Sequence, residues 1–200
     1  MTPRVAYLED ELRRKEELIM ATYAEVAEKG FSAVTLQDVA ERAGVSKGTT
    51  LYYFKTKEDL FLAVFEWLIG KIGRNMEAAI SREKTALDKL KAALESILIS
   101  EQRNGDFYRA YVDFLGLATR DKRYTKLTQV FFDHCTRLDA EIIRQGIKEG
   151  TFKKQSPEKA AAGIRALIDG LSMRWLFEGG DFEVFKRDAI RSVMSLVVKE

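Results

Sequence analysis

The chain has 200 residues, 46% of them hydrophobic and 32% charged, with a formal net charge of +2. A chain of this balance is globular and can bury about 70% of its unfolded surface without staples, which excludes a disordered segment. A single cysteine, Cys135, excludes a disulfide framework and a multi-cysteine zinc site, and a single histidine, His134, excludes a His-rich metal site. No apolar run approaches the roughly 18 residues of a membrane span. The first twelve residues, MTPRVAYLEDEL, lack the apolar stretch of a signal peptide, so a reducing, cytoplasmic setting with no cofactor and no membrane partner is expected.

In chain order the pattern predicts helices throughout, about nine of them, and therefore an all-α fold. The first covers about Leu8 to Lys29, with Leu12, Ile19, Tyr23 and Val26 on one face and Gly30 as its stop. The second opens at Thr35, where Thr35-Leu36-Gln37-Asp38 has the form of a capping box, and ends at Gly44. Ser46 caps a third short helix reaching Tyr53, and Thr56 with Asp59 caps a fourth running to about Ser81. Gly70 and Gly73 within this fourth helix are expected to weaken or bend it. A fifth is expected from Thr85 to Gln102, broken by Asn104-Gly105, and a sixth from Asp106 to about Ala118. A long helix from Asp121 to Glu149 stops at Gly150. Ser156-Pro157 starts another that runs to about Glu178, and the last spans about Phe182 to Val198.

Charge is informative locally rather than in total. Residues 1–60 hold 9 basic and 11 acidic side chains, yet the window from Arg42 to Lys57 holds Arg42, Lys47, Lys55 and Lys57 and no acid. Such a patch suits phosphate contacts, although any four charges can equally form a solvated face. The patch coincides with LQDVAERAGVSKGTTLYYF, Leu36 to Phe54, which reads as two short helices joined by a turn containing Gly44: a helix-turn-helix. Ala40 is small where the helices cross, and Val39, Ala43 and Val45 supply an apolar seam. Ser46, Lys47 and Gly48 at the start of the second helix suit a phosphate, and Thr49, Thr50 and Tyr53 are placed to read base edges in a major groove. A packed helical pair with no ligand is the simpler alternative.

Glu28-Lys29-Gly30-Phe31, then Thr35, then VAERAGVSKGT and YYFKTKEDLF, together resemble the TetR family of bacterial transcriptional repressors over residues 12 to about 70. The remaining residues are similar in helix number and length, and Ala166 to Gly179 resembles the choline-responsive members. The resemblance implies a DNA-binding domain at 12–72, with its motif at about 35–54, and an effector-binding and dimerisation domain at 73–200. It implies DNA contacts at Thr35, Ser46, Lys47, Gly48, Tyr52, Tyr53 and Lys57, and Gln37, Thr49 and Thr50 complete the candidate DNA-contacting set. The chain departs from the family at Thr50-Leu51, where an aliphatic residue followed by tyrosine is usual. Either Thr50 packs through its methyl group, or the helix is rotated and Leu51 joins the seam.

Seven of the 21 aromatic residues fall between Phe107 and Phe132, which suits an apolar pocket with aromatic walls. Ordinary core packing is the simpler account of any one of them. Trp67, Phe107, Tyr111, Phe114, Phe131, Arg174, Trp175 and Phe177 are the candidate ligand residues. The aromatics suit a cation and Arg174 a carboxylate, and the effector's charge stays open. His134 and Cys135 are adjacent on a helix and face apart, so they form no nucleophile pair. The helices at 121–149 and 157–178 are the expected homodimer surface, the second with small residues from Ala160 to Gly170. The functional expectation is a ligand-responsive repressor of a palindromic operator. A corepressor-dependent regulator or a helical adaptor is the alternative, and no carboxylate pair, metal constellation or glycine-rich phosphate loop supports an enzyme.

Overall fold

The computed structural model describes residues 3–199. Among these the chain folds as nine helices: α1 Pro3–Lys29, α2 Leu36–Arg42, α3 Lys47–Tyr53, α4 Lys57–Ser81, α5 Ala86–Ile97, α6 Glu101–Ala118, α7 Lys122–Glu149, α8 Pro157–Glu178 and α9 Phe182–Val197. The only pairing outside helices among the described residues is an isolated antiparallel bridge between Phe152 and Val198.

The caps explain most boundaries. Thr35 accepts from the Asp38 amide while the Asp38 carboxylate accepts from the Thr35 amide at 2.8 Å, so the capping box at the start of α2 is complete. Ser46, Thr56 and Ser156 each accept from the backbone amide three residues on. Gly30, Gly44 and Gly150 end their helices or turns at φ of 78°, 66° and 80°, a conformation that disfavours any side chain. The first helix extends five residues further toward the N-terminus than the apolar pattern indicates.

One expected break is misplaced. The chain does not break at Asn104-Gly105. α5 already ends at Ile97, and α6 starts at Glu101 and passes straight through both residues. Asn104 is buried, and its side chain does the work of a turn from inside the next helix. Its Oδ1 accepts from the Ile99 and Ser100 amides at 2.8 and 3.2 Å, and its Nδ2 donates to the Ile97 carbonyl at 2.9 Å. The Asn104 side chain thus satisfies the gap behind it rather than making one. Gly73 has a different role from the expected bend. α4 stays helical there, and a Cβ would lie 2.9 Å from His134 Nε2 on α7, so the glycine lets α7 approach closely.

The interior holds two apolar clusters. One joins the end of α4 to α5, the later part of α7, α8 and α9 through Met76, Leu90, Leu94, Ile143, Ile164 and Val193. The other begins among α1, α2 and α4 and continues into α6 and α7. Phe65 stacks on Phe114 and Tyr111, and Phe61 packs against Phe114 and Tyr124. The apolar interior therefore runs past residue 72 without a gap, from the helix-turn-helix into α6.

Candidate functional site

Two regions carry the candidate chemistry. The first is the helix-turn-helix. Val39 and Ala40 are buried at the crossing of α2 and α3, and the Val45 amide donates to the Ala40 carbonyl at 2.9 Å to close the turn. Ser46 Oγ accepts from the Thr49 amide at 3.0 Å and pairs with the Thr49 hydroxyl at 2.9 Å. This fixes the phase of α3. Lys47, Gly48, Leu51 and Tyr52 then face outward, with Thr49 and Tyr53 half-buried.

Thr50 is fully buried, whereas Leu51 is 38% exposed. Of the two ways to accommodate Thr50-Leu51, the chain takes the first: threonine fills the aliphatic seam position. The placement of Thr50 as a base-reading residue is thereby corrected, because its side chain is inside the protein. A β-branched threonine matches valine in shape, and its hydroxyl finds no partner.

The basic window is also smaller than its sequence. Arg42 binds back to Glu25 and Glu28, both at 2.5 Å. Lys55 donates to the Leu51 and Tyr52 carbonyls at the end of α3, both at 3.3 Å. Lys57 donates to the Phe31 carbonyl at 2.9 Å and lies over the Phe31 ring. Among the described residues Lys47 alone of the four makes no polar contact. Thr35 and Gln37 are exposed, with Gln37 donating to Glu41 at 2.8 Å. Hydrogen bonds from Thr35 and Lys29 hold the Asp38 carboxyl well below the usual carboxylate range. Tyr52 meets the Tyr53 ring edge-on at 5.0 Å.

The second region is a cavity of about 250 Å³ lined from α1, α4, α5, α6, α7 and α8. Tyr23, Trp67, Phe107, Tyr108 and Phe131 form aromatic walls, and Arg165 and Asp169 bring charge into it. Burial pushes the Tyr23 hydroxyl up to about 12 and the Tyr108 hydroxyl higher still, so both remain neutral donors. Tyr108 donates to Asp169 at 3.3 Å.

The candidate ligand residues divide. Trp67, Phe107 and Phe131 line this cavity. Tyr111 and Phe114 sit behind its wall in the core, where Phe107 stacks on Tyr111 at 5.3 Å. Arg174, Trp175 and Phe177 lie outside it. Arg174 is exposed and pairs with Glu178 at 2.9 Å, Trp175 stacks on Phe185 at 5.4 Å, and Phe177 is 74% exposed. Tyr23, Tyr108, Arg165 and Asp169 were missed. The available signal was Arg165 and Asp169 themselves, two charges one turn apart within the apolar stretch IRALIDGL. Cys135 is buried and its thiol is pushed up to about 11 by that burial, which makes it a poor nucleophile.

α6 connects the two regions. Its early turns line the cavity through Asn104, Phe107 and Tyr108. Its next turns hold the end of α1 and the turn that follows. Arg109 Nε donates to the Ala27 carbonyl at 2.9 Å, and Asp113 accepts from the Phe31 amide at 2.6 Å. At the foot of α4, Arg123 pairs with Asp59 at 2.7 Å and the Tyr124 hydroxyl donates to the Glu58 carbonyl at 2.6 Å.

This architecture is shared with known proteins. Residues 86–199 match the family described as BetI-type transcriptional repressor, C-terminal, and residues 18–64 match the bacterial regulatory proteins of the tetR family. The HTH-type transcriptional regulator BetI of Serratia proteamaculans is 29% identical over 175 residues, covering 84% of each chain. The regulator of the same name from Stenotrophomonas maltophilia is 27% identical over 182 residues, covering 86% of each. A transcriptional regulator from Saccharomonospora viridis, solved in complex with choline, shares the fold with a TM-score of 0.85 at 21% identity, over 93% of this chain and 98% of that one. A TetR transcription regulator from Haloarcula marismortui superposes with a TM-score of 0.81 at 23% identity, over 92% and 98%. With a helix-turn-helix of this geometry and matches spanning both parts of the chain, the protein belongs to the TetR family of bacterial transcriptional regulators, with a C-terminal region of the BetI repressor type.

Proposed function

We propose that the protein is a homodimeric repressor that a small-molecule effector releases from a palindromic operator in the cytoplasm. In this reading residues 12–72 form the DNA-reading unit and residues 73–200 bind the effector and dimerise. The observation that carries it is the continuity of α6 from the cavity wall to the α1–α2 turn. An effector that fits the cavity better in one position of α6 favours one placement of the recognition helix, and DNA affinity changes by that difference in binding free energy.

The cavity supports a small ligand, since about 250 Å³ is below the ~300–1,000 Å³ usual for drug-sized molecules. Aromatic walls favour an organic cation, and the choline held by the Saccharomonospora viridis regulator supports the same class here. On the DNA side, Lys47, Gly48 and the Ser46 cap are placed for a phosphate, and Thr49, Tyr52 and Tyr53 for the groove. Thr35 and Gln37 flank the same face, and Lys57 acts through the α1–α2 turn that it holds.

For the dimer, the outward face of α8 supports close approach. Ala162, Gly163, Ala166 and Gly170 are exposed there. The apolar middle of α7, Leu138 to Ile143, is spent on packing within the chain. α8 is therefore the larger contributor to the expected surface.

A selection from random duplex DNA at two salt concentrations tests the DNA-reading half. A dimer of this geometry enriches a palindrome with half-sites one helical turn apart, and its affinity falls steeply with salt. Enrichment of no sequence, with weak binding alone, contradicts it.

A further inference from the structure

The charges inside the cavity do not balance. Arg165 Nε lies 2.6 Å from Asp139 Oδ2, and the Asp139 side chain is wholly buried. The contact is off the N–H axis, so it is a charge contact rather than an aligned hydrogen bond. Asp139 sits behind the cavity wall, while Asp169, one helical turn on from Arg165, is in the wall itself. One guanidinium thus faces two carboxylates, and the nearer pair uses it. Asp169 is left with the Tyr108 hydroxyl at 3.3 Å as its hydrogen-bond donor. The groups facing it from the neighbouring helices are Tyr108 and Tyr111 of α6 and Cys135 of α7, all of which burial keeps neutral. Lys71 and Arg103 also border the cavity, both exposed and so screened by water, the Lys71 ammonium lying over the Trp67 ring at 4.7 Å. The interior of the site therefore carries one carboxylate more than it can neutralise.

We propose that Asp169 is the charge-selecting residue of this cavity, and that an organic cation binding there displaces a proton from it. The proposal rests on the effector reading above. In the empty site burial holds the Asp169 carboxyl above the usual carboxylate range, against the opposing effects of Arg165 and Tyr108. The acid form persists to higher pH than on an exposed aspartate. A cation against the aromatic wall stabilises the carboxylate, the O–H bond breaks, and the proton leaves to solvent. The sign follows: protons oppose the cation, so its affinity rises with pH and levels off once Asp169 is ionised in the empty site. A neutral ligand of the same shape gains nothing from the ionisation.

Titration calorimetry of the intact protein tests this with choline and with its neutral isostere, in which carbon replaces the nitrogen. Measurements run from about pH 5.5 to about pH 8 in two buffers of different ionisation enthalpy. Choline affinity is expected to rise with pH toward a plateau, with buffer-dependent heat that reports proton release. Asp169→Asn keeps an acceptor for Tyr108. It should lower choline affinity by roughly 10- to 100-fold and remove both signatures, leaving the isostere unchanged. A choline affinity that is flat in pH and equal in Asp169→Asn overturns the role of Asp169 while keeping the cavity as the effector site. Absence of binding by either probe to the unsubstituted protein overturns the cation reading of the cavity, and the proposal with it.

Discussion

Replacing Lys47 with glutamate lowers operator affinity by about 100-fold or more while leaving the fold unchanged. Lys47 is exposed, sits in the first turn of α3, and makes no polar contact among the described residues. Its removal therefore costs the folded chain nothing identifiable. A glutamate there meets phosphate with like charge in both protomers of a dimer, and each such juxtaposition costs several kcal/mol. The neutral change Lys47→Gln separates loss from repulsion. It should reduce the slope of log affinity against log salt by about 2 for the dimer, one phosphate per protomer. Fluorescence anisotropy with a labelled operator measures both, and unchanged thermal unfolding confirms that the fold is not the cause. Arg42 provides the contrast. It is bound to Glu25, which is nearly buried, so Arg42→Gln acts through the packing of α1 against α2 and lowers stability first.

Replacing Gly146 with alanine destabilises the C-terminal helices of the chain by about 3 kcal/mol, the upper end of the usual overpacking cost. A Cβ at Gly146 falls 2.5 Å from Phe152 Cγ and 2.6 Å from Cε2, well inside contact distance of a ring that is fully buried. The ring has little freedom to yield. The Phe152 amide donates to the Gly146 carbonyl at 3.0 Å, and Lys153 donates to the Val197 carbonyl at 2.7 Å. Displacing the ring therefore loosens the α7–α8 loop from the end of α9. For a chain of this size the midpoint of thermal unfolding falls by roughly 6–12 °C. Phe152→Leu alone leaves a small cavity. Combined with Gly146→Ala it should lose less than the sum of the two, because the clash and the cavity occupy one space. Strict additivity of the two changes contradicts this packing.

The difference between legible and illegible parts of the chain has a physical basis. Thr35 with Asp38, Thr56 with Asp59, Ser156-Pro157 and Gly150 act on backbone within a turn of themselves, so their spacing states their function. Asn104 uses the same chemistry across seven residues to reach Ile97, and the two letters Asn-Gly do not encode that distance. The helix-turn-helix was readable because its constraints are local. The commitment of Arg42, Lys55 and Lys57 was not, because their partners lie on α1, at the end of α3 and in the α1–α2 turn. The aromatic cluster announced a cavity wall, but helical period alone does not say which ring faces the space and which faces the core. Phe107 and Phe131 face it, and Phe114 does not. Arg165 and Asp169 are the sharper signal in the sequence. Charges inside an apolar helix are costly to bury, and such residues mark a site more sharply than another aromatic does.

On the proposed function, one ligand bound in the cavity changes DNA affinity through α6. The most direct measurement is operator affinity at fixed salt and pH, with and without saturating choline, for the intact protein and for Trp67→Ala. Choline is expected to weaken operator binding by about tenfold or more, within the usual range of allosteric coupling, while Trp67→Ala binds DNA normally but no longer responds. An operator affinity that choline leaves unchanged in the intact protein, although choline is shown by calorimetry to occupy the cavity, contradicts it.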